Sequence, residues 1–206
     1  MTVAKDWQPV VVDDAVSPFR RRLLDGLAAS IDERGYRDTT VADIVRHART
    51  SKRTFYGEFS SKEECFIELL TWGNQQMIAN IRAAVDPEAD WREQVRKAVD
   101  AWVAEIEARP AITLSWIREL PALGRDVRAL QRRGMNAFVD MFVEFSSNAG
   151  FQRAGIAPLS RQMAVLLFGG LRELSALTVE DGADVRELVE TAVAGSIAIL
   201  SAGRID

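Results

Sequence analysis

Residues 46–53 concentrate positive charge in a chain that is acidic overall. The stretch contains Arg46, His47, Arg49, Lys52 and Arg53 and no acidic residue, whereas the whole chain of 206 residues has a net charge of −4. Duplex DNA favours such a patch, because bound basic groups release counterions from the phosphates. A solvated helix face can carry a similar run of charge. Composition alone therefore leaves both interpretations open.

Hydroxyl side chains border these basic residues and could bind phosphate oxygens. They are Thr39, Ser51, Thr54 and Tyr56. Phosphate contacts of this kind fix the register of a protein on the duplex, whereas lysine and arginine can also hydrogen-bond to base edges. Lys52 and Arg53 are therefore the candidates for reading base sequence.

Two short helices joined by a tight turn would position these side chains. Thr40 and Asp43 have the spacing of a capping box at the start of the first helix, in which Ile44 is apolar. Ser51 can cap the second helix, whose Phe55 lies one turn before Phe59. The pattern predicts a helix-turn-helix whose second helix has an exposed, basic N-terminal end.

The rest of the chain repeats apolar residues at helical spacing, and we find no stretch with a period of two. The sequence predicts an all-α fold of about nine helices. We expect a flexible N-terminal arm over residues 1–17 and a three-helix, helix-turn-helix DNA-binding domain over residues 18–64. An effector-binding and dimerisation domain is expected over residues 65–206.

The order of residues in the helix-turn-helix resembles the DNA-binding head of the tetracycline-repressor (TetR) family of bacterial transcriptional regulators. The matching positions are Thr40, Val41, Ile44, Ser51, Lys52, Thr54, Tyr56, Phe59, Ser61, Lys62, Glu63 and Glu64, preceded by Gly35 and Tyr36. The resemblance covers about residues 19–70. It implies phosphate contacts from Thr54, Tyr56 and Lys62. It also implies that Lys52, Arg53 and Gly57 lie nearest the bases and that the protein is a dimer.

Two features depart from the family pattern. Arg49 and Thr50 occupy the turn, where the family usually has a glycine and a small aliphatic residue, so we expect altered turn geometry and an added DNA-backbone contact from Arg49. Gly57 replaces a larger side chain, which leaves base reading to fewer residues. The expected DNA-binding residues are Thr39, Arg49, Ser51, Lys52, Arg53, Thr54, Tyr56, Gly57 and Lys62.

Bulky apolar residues in the middle of the chain could form ordinary core or line a cavity. The resemblance favours a cavity, because the family binds its effector within the C-terminal helices. The expected ligand-binding residues are Trp72, Trp102, Trp116, Met135, Phe138, Met141, Phe142 and Phe168. The charged candidates near these segments are Glu105, Arg118, Glu119 and Arg128.

The two apolar segments that end the chain are expected to form a subunit interface. Gly169, Gly170 and Gly195 would each cost about 1 kcal/mol relative to alanine inside a helix, which is consistent with a close approach of two helix backbones. The resemblance implies a four-helix interface between two subunits. The expected interface residues are Met163, Leu167, Gly170, Leu171, Leu174, Leu188, Ala192, Val193, Ser196 and Ile197.

No catalytic or metal-binding pattern accompanies these features. Cys65 is the single cysteine, so the chain cannot form an internal disulfide, and His47 lacks neighbours for proton transfer or metal binding. We find no zinc motif, glycine-rich phosphate loop or nucleophile elbow, and we expect neither an enzyme nor a cofactor. The longest apolar run, residues 163–171, is shorter than the ~20 residues that cross a bilayer. We therefore expect a cytoplasmic protein with no membrane partner.

The sequence thus predicts a sequence-specific, DNA-binding transcriptional regulator. We expect a homodimeric repressor that a small apolar or amphipathic ligand releases from double-stranded operator DNA. The alternative is a helical interaction protein or small-molecule-binding protein that does not bind DNA.

Overall fold

A computed structural model describes residues 17–124 and 127–202. Within these ranges every regular element is a helix and there is no strand, which confirms the predicted all-α fold. The α-helices are α1 (Pro18–Asp38), α2 (Val41–His47), α3 (Lys52–Glu58), α4 (Lys62–Ala84), α5 (Trp91–Ala108), α6 (Pro110–Leu114), α7 (Arg128–Phe145), α8 (Ala149–Arg153), α9 (Arg161–Glu180) and α10 (Leu188–Ser201). Except for Ser17, the predicted arm lies outside the described residues.

Side-chain caps fix where the first four helices begin. The Ser17 hydroxyl accepts the Arg20 N–H and Pro18 opens α1. Thr40 and Asp43 bond reciprocally at the start of α2, so the predicted capping box is present. The hydroxyls of Ser51 and Ser61 cap α3 and α4 in the same manner. These caps satisfy N–H groups that have no partner within the helices.

Two helical elements differ from the sequence-based expectation. A single helix is predicted over residues 111–120, but α6 passes into a π-helical turn, Ser115–Glu119, and then into a 3-10 turn, Leu120–Leu123. The Leu120 N–H donates to the Ser115 carbonyl, five residues earlier, and Pro121 has no N–H with which to continue an α-helix. The short helix α8 lies in a segment predicted as turns, where the Asn148 side chain caps its first N–H groups.

The buried residues form two clusters. The first, which we call the head core, joins α1, α2 and α3 to the first turns of α4. Ile112, Leu120 and Val127, which follow α5 in the chain, complete it. The second cluster fills the space between α4, α5, α7, α9 and α10. Helix α1 of the head therefore packs directly on the segment that contains the π-helical turn.

Helix α9 has an unusually apolar exposed surface. Among the described helices it alone is long and apolar enough to cross a membrane by length and composition, and 28% of its most apolar window is buried. Val165 is exposed near the start of the helix. Three further exposed side chains, Leu166, Leu174 and Leu177, follow one face at helical spacing. Their arrangement on one side of a helix that packs against the core on its other side is typical of a contact surface.

Candidate nucleic-acid interface and effector cavity

The turn between α2 and α3 closes around Arg49. The Thr50 N–H donates to the Val45 carbonyl and the Arg49 N–H donates to the Arg46 carbonyl, at 3.0 and 3.2 Å. This pair of bonds is a Schellman motif, which requires a left-handed residue at the position of Arg49. Arg49 has a φ of 50°, the only positive φ of a non-glycine residue in the described chain. The left-handed turn forms without glycine, and Arg49 is exposed beside α3.

The N-terminal half of α3 is an exposed basic surface. Lys52 and Arg53 are exposed, and neither side chain forms a hydrogen bond or ion pair with a described residue. Tyr56 is 59% exposed, with its ring edge against the Phe55 ring. A side chain at Gly57 would meet nothing within 4 Å. If α3 lies in a major groove, the donors on this end of the helix are therefore free to contact base edges and phosphates.

Two of the predicted DNA-binding residues form hydrogen bonds within the head. Thr39 is 2% exposed, and its hydroxyl donates to the Gly35 carbonyl at 2.7 Å. Lys62 Nζ donates to the carbonyls of Tyr36 and Thr39, at 3.1 and 2.8 Å. The ammonium also lies 4.3 Å from the centre of the Tyr36 ring. The expectation of a phosphate-binding Thr39 hydroxyl is wrong, because this group completes the end of α1, and two of the three Lys62 donors have the same role.

The basic residues of α2 are neutralised by acidic residues of the head. Arg46 and His47 both contact the Glu33 carboxylate, at 3.0 and 2.9 Å. The hydrogen bond from His47 is the largest of the effects that lower the Glu33 pKa. Arg34 contacts Asp43 at 3.3 Å. The positive charge available to DNA is therefore concentrated at the turn and at α3.

Close packing fixes α3 relative to α1. Arg20 donates to the carboxylate of Glu68 and to the carbonyl of Glu58, and its guanidinium lies 4.1 Å from the centre of the Phe59 ring. On the opposite side, a Cβ at Gly26 would lie 2.6 Å from the Ile44 carbonyl oxygen, so only glycine allows α1 and α2 to approach this closely. The head is thus a rigid support for α3.

Most of the expected ligand-binding residues meet in one cavity between α4, α5, α7 and α9, which we call the inner cavity. Its lining is Leu69, Leu70, Trp72, Gly73, Asn74, Met77, Trp102, Glu105, Arg109, Ile112, Thr113, Trp116, Ile117, Phe138, Phe168 and Arg172. The Trp116 indole lies over Gly134, where a Cβ would approach the ring to 2.6 Å. The lining is mainly aromatic and aliphatic, which suits an apolar ligand.

Two further cavities adjoin the inner cavity through shared residues. Trp116, Arg128, Gln131, Arg132, Met135, Phe168 and Arg172 line the outer cavity. The distal cavity lies on the other side of Trp102, and Phe142, Phe145 and Leu167 are among its lining residues. The Trp102 indole N–H donates to Ser175 Oγ at 3.1 Å, which holds the ring in the wall between the inner and distal cavities.

The remaining predictions for the effector site divide between the cavities and other contacts. Met141 is fully buried in the core and does not line the three cavities. Glu105 and Arg128 line cavities, whereas Arg118 pairs with Glu173 and Glu180, and Glu119 pairs with Arg37. Arg172 is absent from the sequence-based prediction. The position of an arginine in the middle of an apolar helix is a signal that could have identified it.

The expected interface residues do not share one exposed face. Four of these residues are buried within the subunit, so the expectation that their side chains face a second subunit is wrong. They are Leu167, Ala192, Val193 and Ser196. Gly170 and Leu174 are exposed, and Met163, Leu171, Leu188 and Ile197 are half-buried. A side chain at Gly169, Gly170 or Gly195 would meet nothing within 4 Å. The exposed face of α9 therefore includes Gly170 and Leu174 of the expected set, together with Leu166 and Leu177, which were not in it.

Comparisons with known proteins agree with this architecture. Residues 23–69 match the family described as bacterial regulatory proteins, tetR family. YhgD of Bacillus subtilis, an uncharacterized HTH-type transcriptional regulator, is 22% identical over 72% of this chain and 77% of its own length. The HTH-type transcriptional repressor KstR2 of Mycobacterium tuberculosis is 34% identical over 55% of this chain and 56% of its own length.

Solved structures match nearly the whole chain. The fatty acid degradation regulator FadR from Bacillus halodurans superposes with a TM-score of 0.75 at 19% identity, covering 89% of this chain and 96% of that one. FadR from Bacillus subtilis, solved in complex with stearoyl-CoA, has a TM-score of 0.73 at 18% identity, covering 87% of this chain and 97% of that one. At such identities the likeness concerns the fold. Together, the match of residues 23–69 and the shared fold support a transcriptional regulator of the TetR family.

Proposed function

We propose that this protein is a homodimeric repressor that binds operator DNA through α3 and is released by an amphipathic small molecule. The observation that carries the proposal is the exposed N-terminal end of α3, where Lys52 and Arg53 form no ion pair with a described residue. In this assignment Lys52 and Arg53 read base edges, while Ser51, Thr54 and Tyr56 bind phosphates. Arg49 adds a backbone contact from the turn, and Gly57 lets the helix approach the bases closely.

The apolar face of α9 supports the homodimer. Leu166 is 64% exposed and Leu177 is 48% exposed, on a helix whose neighbour α10 exposes the small residues Ala194, Gly195 and Ala198. Small residues on one helix and leucines on the next allow close packing against the same pair from a second subunit. Pairing would bury the apolar stripe of α9, so neither a membrane nor an unrelated partner is needed to explain it. Two heads could then bind half-sites about one helical turn apart, roughly 34–36 Å.

The same arrangement supports a division of the chain into two domains. We assign residues 18–64 to DNA binding and residues 65–206 to effector binding and dimerisation, with the preceding residues as an arm. Helix α4 spans the boundary, since its first turns belong to the head core and its later turns line the inner cavity. A ligand that repositions α4 would thereby change the separation of the two heads and lower the affinity for DNA.

The effector is an amphipathic molecule with an apolar chain. The inner cavity offers aromatic and aliphatic walls with a few polar groups, among them Asn74, Glu105 and Thr113. FadR from Bacillus subtilis, which shares the fold, was solved in complex with stearoyl-CoA. We therefore propose acyl compounds as the first class to test. Regulation of this kind requires no catalytic step, and we assign the protein to the cytoplasm, where its DNA lies.

Selection of bound fragments from genomic DNA tests the DNA-binding assignment, because the protein itself picks out its operator from all the sequences present. We expect recovery of a palindromic site, and we expect an added acyl thioester to displace the protein from that site in a gel-shift titration. Coenzyme A without an acyl chain is the control and should leave the complex intact. Recovery of fragments without a common sequence, or a folded dimer with no affinity for DNA, would favour a helical interaction or small-molecule-binding protein instead.

A further inference from the structure

Arg172 places an incompletely bonded guanidinium at the junction of the inner and outer cavities. Its Nη2 donates to the Ile117 carbonyl of the π-helical turn at 3.1 Å. Its Nε is buried and has no hydrogen-bond partner. Burial also lowers the pKa of Arg172, the largest effect on this group. A buried donor on a charged group is costly to leave unpaired, so the site favours an acceptor that is not part of the described protein.

The carboxylates nearest to Arg172 in sequence are already bound elsewhere. Glu173 accepts two hydrogen bonds from Arg118, at 2.8 and 3.1 Å, and Arg118 also contacts Glu180 at 2.7 Å. Other arginines of the effector-binding part likewise pair with carboxylates. They are Arg82, Arg96, Arg153, Arg161 and Arg186. Arg172 differs from these five arginines, because it lines two cavities and its buried Nε has no hydrogen-bond partner.

The outer cavity adds positive charge beside Arg172. Its lining includes Arg128 and Arg132 from the first two turns of α7, together with the amide of Gln131. The described lining contains no carboxylate. The inner cavity is walled mainly by aromatic and aliphatic groups, and its charged lining residues are Glu105, Arg109 and Arg172. Arg172 therefore lies between a mainly apolar cavity and one that two further arginines line.

We propose that Arg172, assisted by Arg128 and Arg132, binds the anionic group of an amphiphilic effector whose apolar chain lies in the inner cavity. This inference rests on the proposed function and specifies the chemistry of its ligand. A carboxylate or a phosphate would satisfy Nε through a charge-assisted hydrogen bond. The same guanidinium remains bonded to Ile117, so the anion would be held directly against the π-helical turn that packs on the head.

Three probes with the same apolar chain separate the possibilities: dodecanoate, dodecanol and dodecanoyl-CoA. Calorimetric titration of the full-length protein should show that dodecanoate or dodecanoyl-CoA binds at least about tenfold more tightly than dodecanol, the gain expected for a charge-assisted bond. Arg172→Met should remove this preference and leave the affinity for dodecanol unchanged. Arg172→Lys, which keeps the charge and loses Nε, should retain part of the preference.

The variants also identify the source of the anion. If Arg172 binds a carboxylate, Arg172→Met weakens the binding of dodecanoate more than that of dodecanoyl-CoA. If the phosphates of the thioester bind in the outer cavity, Arg128→Gln with Arg132→Gln weakens the binding of dodecanoyl-CoA. Arg96→Met, which removes a paired arginine outside the cavities, is the control and should change neither affinity. Equal binding of all three probes, or an anion preference that survives Arg172→Met, would overturn the anion site alone. Failure of every probe to bind would overturn the acyl effector class and the site together.

Discussion

Arg37 Nε donates to the Glu119 carboxylate at 2.8 Å, and this bond joins the last turn of α1 to the last residue of the π-helical turn. The hydrogen bond raises the pKa of Arg37, and Glu119 is the less exposed partner, with 22% of its side chain accessible. Gly35, with a φ of 79°, interrupts α1 just before Arg37 and directs the final turn toward the effector-binding part. The head and the wall of the inner cavity are therefore connected by a specific polar contact as well as by the head core.

Breaking this contact should weaken the response to effector more than the binding of DNA. We expect Arg37→Ala to reduce the effector-induced loss of DNA affinity by about fivefold at most, since an exposed ion pair contributes little to stability. DNA affinity without effector should remain nearly unchanged. The measurement is fluorescence anisotropy of labelled operator with and without ligand. Arg34→Ala, which removes an arginine paired within the head, is the control, and an equal loss of response in this variant would argue against the proposed connection.

Replacing Arg49 by glycine measures what the left-handed backbone of this residue costs in stability. Arg49→Gly should raise the free energy of unfolding by about 0.5–1 kcal/mol, because a left-handed φ costs a non-glycine residue about 1–2 kcal/mol and glycine loses more chain entropy on folding. Urea denaturation measures this change. Arg46→Gly, placed inside α2, should instead destabilise the head by about 1 kcal/mol. A destabilised Arg49→Gly protein would show that the arginine side chain contributes more to the turn than its backbone strain costs.

A charge on the exposed face of α9 should dissociate the dimer. Leu166→Asp would bury an unpaired carboxylate between subunits and raise the dimer dissociation constant by a factor of about 100, equivalent to about 3 kcal/mol. Sedimentation equilibrium gives this constant, and Ala104→Asp on the exposed side of α5 is the matched control. Val193→Asp should unfold the subunit, because Val193 is 6% exposed within it. A Leu166→Asp dimer as stable as the wild type would place the interface elsewhere.

Trp102 should limit the length of the apolar chain that the cavities accept. Trp102→Leu would open the inner cavity into the distal cavity, so hexadecanoate should gain about tenfold or more over dodecanoate, given ~0.8 kcal/mol for each additional buried methylene. Titration calorimetry on the two acids measures the ratio. Trp72→Leu enlarges the inner cavity without touching this wall and should leave the ratio unchanged. A Trp102→Leu protein that binds both acids as the wild type does would show that the wall does not limit chain length.

Local signals predicted the head well because its determinants are local. The spacing of Thr40, Asp43 and Ser51 specifies caps, and these form as predicted. Lys62 shows where that reasoning ends. A lysine near a helix start is compatible with phosphate binding, but its ammonium instead binds carbonyls that lie more than twenty residues earlier in the chain.

The effector-binding part was harder to predict, because its cavities depend on contacts between distant helices. A periodic apolar pattern identifies α9 but does not distinguish the side that packs on the core from the side that faces a partner. Leu167 and Leu166 are adjacent leucines, yet they are 7% and 64% exposed. The environment of Arg172 depends on the packing of α9 against the π-helical turn, since that packing pairs Nη2 with the Ile117 carbonyl and leaves Nε without a partner.

We propose that the exposed end of α3 reads operator DNA, and this role would be measured by the ratio of specific to nonspecific affinity. Anisotropy titrations at one fixed salt concentration would compare the selected operator with a scrambled duplex. We predict that Lys52→Ala with Arg53→Ala reduces this ratio by at least about tenfold, since each base-reading side chain contributes about 1–3 kcal/mol of discrimination. Arg92→Ala with Lys97→Ala, which removes the same charges from the exposed side of α5, should leave the ratio unchanged. An unchanged ratio in the α3 variant, or equal losses in the two variants, would show that Lys52 and Arg53 do not read the operator sequence.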